Sequence, residues 1–370
     1  MKVIRLAAPD IRGDDIRRVT AVLRSGQLVQ GPMVARFEHS VARYARIDAC
    51  AAVSSGTAAL HLALLALGIG RRDAVIVPAF TFPATANVVE RVGARVVPCD
   101  VDPLTYVMTP ELLQKAAARA RAAAVIVVHE FGYPADMARI RAVARRHGLR
   151  VIEDAACALG TRTGGAHPGR FGDVACLSFH PRKAVTTGEG GAVLARNRKV
   201  VESVRELRNH GIRARGGRTD FVAAGLNYRM TDIQAALGIG QLARFGAELR
   251  RRKRLAARYF RRLRGLAGIA LPADHEGHSW QTFMVVLDPR VDRRAVIAQL
   301  ARRGIQSNLG AQAIHCLGYY RSRYGWRDAA WPVAARLYRQ GLALPLHGAV
   351  SAQDVDFVCA ALADVLNARR

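Results

Sequence analysis

Gly172-Asp173-Val174-Ala175-Cys176-Leu177-Ser178-Phe179-His180-Pro181-Arg182-Lys183-Ala184-Val185-Thr186-Thr187-Gly188-Glu189-Gly190-Gly191 is the stretch that decides how the chain is read. It predicts a buried strand over Val174 to Phe179, a turn marked by Pro181, one lysine, and a glycine-rich return into a second apolar run, Ala192 to Leu194. The lysine stands out because the chain writes its cations differently elsewhere. Of its 56 basic residues, 5 are Lys and 51 are Arg. Arginine supplies charge after a core strand, but only an amine loses its proton and condenses with an aldehyde to a Schiff base. Lys183 is therefore read as the residue that holds pyridoxal phosphate covalently, against the plain alternative of a surface lysine in a loop.

Outward from that stretch, short apolar runs alternate with helical periodicity. Strands are expected at Ala51 to Ser54, Ala74 to Val77, Arg95 to Pro98, Ala123 to Val128, Arg150 to Ile152, Val174 to Phe179 and Ala192 to Leu194. Helices are expected between them, one beginning at Thr109-Pro110-Glu111, where Thr caps and Pro opens the first turn. This βα rhythm with near-continuous apolar strands predicts an α/β fold, its sheet mostly parallel and covered on both faces. Gly211 to Gly225 is expected to be a mobile loop. Thr231 to about Arg264 reads as a long helical stretch broken at Gly238, Gly240 and Gly246. A domain boundary is placed near residue 246, giving a large domain over 1–245 and a smaller one over 246–370.

The totals of the 370-residue chain, 51% hydrophobic and 23% charged, fit a globular protein. No apolar run reaches membrane-spanning length, and Met1 to Arg5 meets charge too early for a signal peptide, so a cytoplasmic location is expected and no membrane partner. The six cysteines form no CxxC pair, so no metal site is expected. The net charge of +27 raises a regulatory or nucleic-acid-binding alternative. The arginines are spread over most helices without a recognition motif, so no specific nucleic-acid partner is expected.

A lysine that binds this cofactor needs partners. A carboxylate at a neighbouring strand end keeps the pyridine nitrogen protonated, and Asp154 in Val151-Ile152-Glu153-Asp154 is placed for it. Taken alone, an Asp there is a turn former. The phosphate needs backbone N–H groups at a helix start together with hydroxyls. Ser55-Gly56-Thr57 offers Gly56 for close approach and Thr57 for an oxygen, while Ser178 adds a hydroxyl. Phe82 is a stacking candidate for the ring, although a Phe after a strand is ordinarily core.

Five motifs in order, SSGTAALHLAL, VIVPAFTFPATANVV, VIEDAACALGT, GDVACLSFHPRKAVTTGEGG and GLNYRMTDIQAALG, resemble the DegT/DnrJ/EryC1/StrS family of sugar aminotransferases. The resemblance implies the type I fold of pyridoxal-phosphate enzymes: a large domain with a mostly parallel seven-stranded sheet flanked by helices, plus a smaller C-terminal α+β domain. It implies a homodimer with shared active sites. Lys183 and Asp154 would be catalytic; Gly56, Thr57 and Ser178 would bind phosphate; Phe82 would stack. Asn227 would reach the cofactor of the partner subunit, and Arg229 and His315 would face substrate. Cys157 stands where many members carry His or Gln near the cofactor's phenolic oxygen, and a thiol is the weaker hydrogen-bonding group. The implied reaction is ping-pong transamination from L-glutamate to a nucleotide-linked keto sugar, an NDP-4-keto-6-deoxyhexose above others. Lys183 would serve as anchor and then as general acid–base, a task that asks for an amine of lowered pKa. A 3-dehydratase branch of the family carries His in place of the lysine.

Overall fold

The computed structural model describes residues 3–367; Met1 and Lys2, at the start of the segment screened above for a signal peptide, lie outside them. In chain order the first strands are β1 (Ala49–Val53), β2 (Ala74–Pro78), β3 (Phe80–Thr81), β4 (Arg95–Cys99), β5 (Ala124–Val128), β6 (Arg150–Asp154), β7 (Val174–Ser178) and β8 (Gly191–Ala195). All but β3 form one seven-stranded sheet in the order β1-β8-β7-β6-β5-β2-β4. The neighbours from β4 to β7 pair in parallel, and β8 runs antiparallel to both β7 and β1. Strands β2, β5 and β8 are buried along their whole length, as expected of a sheet with helices on both faces.

Local chemistry sets the helix starts. Thr109 accepts from the N–H of Leu112 and Asp136 from that of Arg139. Thr231 and Gln234 form a capping box at the start of the helix Asp232–Leu263. Asp232 reaches sideways and accepts from the N–H groups of Gly31 and Val34, capping the helix Pro32–Ala45.

The helix Asp232–Leu263 is continuous, which corrects the expected breaks at its glycines. Tertiary packing sets those positions. A Cβ on Gly238 would lie 2.6 Å from the ring of Phe37, and one on Gly240 would lie 2.2 Å from Oδ1 of Asp15. These glycines let two neighbouring helices approach closely. The first half of the helix packs Ala235 and Phe245 into the core under the large sheet. Its last turns place Leu255 and Tyr259 in a second core, and a boundary near residue 246 falls inside this helix.

The second core covers an antiparallel sheet of β11 (Ile269–Ala270), β12 (Phe283–Leu287) and β14 (Gly341–Leu344), backed by the helices Arg293–Arg302 and Ala352–Asn367. A further strand, β13 (Gln312–Ala313), crosses back to pair with β3 and ties this part to the rim of the large sheet. The expected loop at Gly211–Gly225 contains a hairpin, β9 (Ile212–Arg215) and β10 (Arg218–Phe221). Gly216 and Gly217 form its two-residue turn with φ of 57° and 76°, the backbone that such hairpins require. Among the described residues, no helix is long and apolar enough to cross a membrane.

Candidate active site

The carboxyl ends of β5, β6 and β7 lie side by side. Val128 pairs with Asp154, and Asp154 pairs with Cys176, two residues before Ser178. An open cleft of about 700 Å³ lies over this edge, walled by Thr57, Phe82, Glu130, Asp154, Cys157 and Lys183. Beyond β7 the chain turns tightly. The N–H of Lys183 donates to the carbonyl of His180 at 2.8 Å, and the N–H of Thr187 donates to Phe179 at 3.0 Å. The turn presents the lysine to the cleft.

At one end lies an anion cradle. Ser55 caps the helix Gly56–Ala66 by accepting from the N–H of Ala58 at 3.0 Å. The N–H groups of Gly56 and Thr57 have no protein acceptor among the described residues. Free N–H groups at a helix start favour an anion. A Cβ on Gly56 would sit 2.8 Å from the Cβ of Ser178, so glycine is what brings the two elements together. Thr57 is exposed toward the cleft, and Phe82, 65% exposed, lies open on its wall.

Asp154 lies on the floor. Its Oδ2 accepts from the hydroxyl of Thr85 at 3.0 Å and its Oδ1 from the N–H of Ala156 at 3.1 Å. Burial raises its carboxyl above the usual range, against the pull of these two donors and of Lys183 and His129. Such a buried acid gains when a cationic ring nitrogen is set against it. The cradle, the carboxylate and the amine thus sit in one cleft, and the residues fit pyridoxal phosphate.

Lys183 Nζ donates to Cys157 Sγ at 3.0 Å. Burial pulls the ammonium pKa down, but Cys157, Glu130 and Asp154 outweigh it, so the amine holds its proton more tightly than usual. This is the reverse of the lowered amine that the chemistry asks for. The reason is the company it keeps: Cys157, Glu130 and Asp154 all face it.

Sequence reasoning missed Glu130, Thr85 and Gln281. Glu130 follows β5 at the same sheet edge as Asp154, and that position was the available signal. Gln281 is distant in sequence. Its Oε1 accepts from the N–H of Ala184 at 3.0 Å, its Nε2 donates to the carbonyl of Arg182 at 2.7 Å, and its N–H donates to the carbonyl of Phe131 at 2.9 Å. One amide therefore grips the peptides on either side of Lys183. Gln281→Ala is expected to lower turnover about tenfold or more while the cofactor stays bound, since two hydrogen bonds that aim the lysine are lost. Steady-state rates measured beside the cofactor's visible absorbance check it.

Three expected residues lie elsewhere. Asn227 is exposed, away from this chain's own cleft. Arg229 does not wall the cleft and donates to Oδ1 of Asn209 at 2.6 Å. His315 is fully buried against Trp331, with ring centroids 5.2 Å apart, in a turn that β13 directs inward. Burial drops its pKa to about 4, so it is a neutral core residue rather than a wall of the cleft. His315, Cys316 and Asp328 bring ligand atoms within 4.8 Å of one another, but Arg321 and Arg339 already hold both oxygens of Asp328.

A type I α/β architecture with a lysine, a buried carboxylate and an anion cradle on one sheet edge defines a pyridoxal-phosphate-dependent enzyme. The chain belongs to the DegT/DnrJ/EryC1/StrS aminotransferase family, whose model matches residues 9–363. It is 35% identical to the spore coat polysaccharide biosynthesis protein SpsC of Bacillus subtilis, over 97% of this chain and 96% of that protein. Its fold matches the pyridoxal-phosphate form of Spr1654 from Streptococcus pneumoniae, described as a proposed sugar aminotransferase. The TM-score is 0.93 at 29% identity, covering 99% of both chains. It also matches the aminotransferase TlmJ from Streptoalloteichus hindustanus, with a TM-score of 0.91 at 32% identity over 99% of both chains.

Proposed function

We propose that this chain moves the amino group of L-glutamate onto a nucleotide-linked keto sugar, an NDP-4-keto-6-deoxyhexose above others. The observation that carries the proposal is the shared cleft: Lys183, Asp154 and the Gly56–Thr57–Ser178 cradle wall one open space of about 700 Å³. That volume is of the size that small-molecule sites have. The polysaccharide-biosynthesis relative agrees with a sugar acceptor.

In this reading Lys183 holds the cofactor covalently, Asp154 faces its ring nitrogen, and Gly56, Thr57 and Ser178 receive its phosphate. Phe82 covers the ring, and Cys157 lies beside Lys183. When bound, the cofactor supplies an electron sink for the carbanion formed at the substrate's Cα. Lys183 Nζ would take the proton from the substrate's Cα and return it two atoms away, on the far side of the substrate nitrogen. Asn227, exposed on this chain, reaches the partner's cleft in a cytoplasmic homodimer. Arg229 and His315 do not wall this chain's cleft and are given no contact with substrate.

Lysine rather than histidine at 183 speaks against the 3-dehydratase alternative. Membership in an aminotransferase family replaces the nucleic-acid reading of the charge. The test is a panel of keto sugars on dTDP, UDP and GDP, with L-glutamate and the loaded enzyme, reading 2-oxoglutarate. Release with a nucleotide-linked keto sugar is expected. Release with simple 2-oxo acids and with no sugar would overturn the proposal.

A further inference from the structure

Glu130 is the acidic wall of the cleft to which the chemistry above gives no task. It follows β5, two residues after Val128, the strand partner of Asp154. Its turn is held in an uncommon backbone, with Phe131 at φ 54° and Gly132 at φ 90°. Several contacts fix that turn. Gln281 N–H donates to the carbonyl of Phe131 at 2.9 Å, and Thr161 Oγ1 donates to that of Gly132 at 2.7 Å. A Cβ at Gly132 would lie 2.0 Å from Oγ of Ser279, so the bend has no slack.

The carboxylate so placed is 5% exposed, and among the described residues no side-chain hydrogen bond to it is found. Glu153, buried one strand away, shows the contrast: the N–H groups of Gly169 and Gly172 and the ring of His129 satisfy it. The N–H of Phe131 is the donor Glu130 keeps, and a buried acid so thinly supported is costly to charge; such groups gather at functional sites. The charged neighbours of Glu130 are Lys183 and Asp154. Those facing Lys183 are Cys157, Glu130 and Asp154, with His180 and Arg182 on its own turn and His129 behind Asp154.

We propose that Glu130 is a positioning residue that, with Cys157, governs how tightly Lys183 holds its proton. The inference rests on Lys183 being the cofactor-bearing lysine. Once a pyridinium claims Asp154, Glu130 is the carboxyl left to face the amine. Burial pushes Glu130 up to about 8, so it is neutral below that pH and charged above it. Neutral, it lets the amine part with its proton; charged, it holds the proton there.

The experiment reads Lys183 directly. Cofactor-free protein is acetylated in competition across a pH series, and the peptide carrying Lys183, one of 5 lysines, is quantified by mass spectrometry. In Glu130→Gln the midpoint is expected to fall by about one pH unit or more, the effect of removing an opposite charge close by. Glu130→Asp, which keeps the charge, is expected to stay nearer the wild-type midpoint. An unchanged midpoint in Glu130→Gln overturns the proposal. An equal fall in both variants also overturns it, since that marks lost packing rather than lost charge. In loaded protein, the visible band is expected to titrate at lower pH in Glu130→Gln. Wild-type protein that takes up cofactor without a visible band would sink the reading of Lys183 itself, a failure separate from an unmoved midpoint.

Discussion

Lys183→Ala is expected to abolish transamination and to erase the visible absorbance of the cofactor-loaded protein. General acid–base catalysis by a positioned side chain contributes about 10²–10⁴-fold, and the covalent anchor is lost with it. A fall of at least about 10³-fold is therefore expected. The structure sharpens the prediction, because Lys183 is the lysine that walls the cleft holding Asp154 and the anion cradle. Lys183→Arg is the informative companion. It keeps a cation beside Cys157 and Glu130, yet a guanidinium neither condenses with an aldehyde nor gives up its proton. Arg is thus expected to be as inactive as Ala. Turnover assays and absorbance spectra of both variants decide the matter, and an Arg variant that keeps the visible band would remove Lys183 from its assigned place.

How much of this site was legible before folding depends on sequence distance. Lys183 and Ser178 were legible because six consecutive residues of one strand and turn carry both. Asp154 and Gly56 were legible because each follows a recognisable apolar run. Gln281 was not, since its hydrogen bonds to Arg182 and Ala184 join residues about a hundred positions apart. Thr85 was hidden in a helix whose apolar pattern drew the attention. The helix Asp232–Leu263 shows the same limit for the fold. Local propensity penalises glycine within a helix by about 1 kcal/mol, and on that ground Gly238 and Gly240 read as breaks. Their actual neighbours, Phe37 and Asp15, lie some two hundred residues earlier in the chain. His315 was expected near substrate from the resemblance alone, and the two-residue strand β13 just before it carries no period that would show which way the ring turns.

Asp154→Asn is expected to separate two effects that the wild-type carboxylate combines. The amide keeps the shape and can still accept from the N–H of Ala156, so the floor of the cleft should persist. What is lost is the negative charge beneath the ring nitrogen. An opposite charge at close range shifts a titrating partner by about 1–3 units, and each unit is about 1.4 kcal/mol. Turnover is therefore expected to fall about 10²-fold or more, while Lys183 keeps the cofactor bound and coloured. Stability should move the other way in cofactor-free protein. Burial raises the Asp154 carboxyl above its unfolded value, so the folded state binds the extra proton across that interval. By linkage, wild-type stability falls as pH rises from the unfolded to the folded value, and the loss persists above it. Asn has no charge to bury and escapes this loss. Cofactor-free Asn protein is thus expected to melt at or above the wild-type temperature at neutral pH. Loaded Asn protein should gain less from the cofactor, because the ion pair that repays burial is missing. Thermal melts of both forms across pH test this. A loaded Asn variant with wild-type turnover and wild-type stabilisation would mean that the ring nitrogen lies against another group.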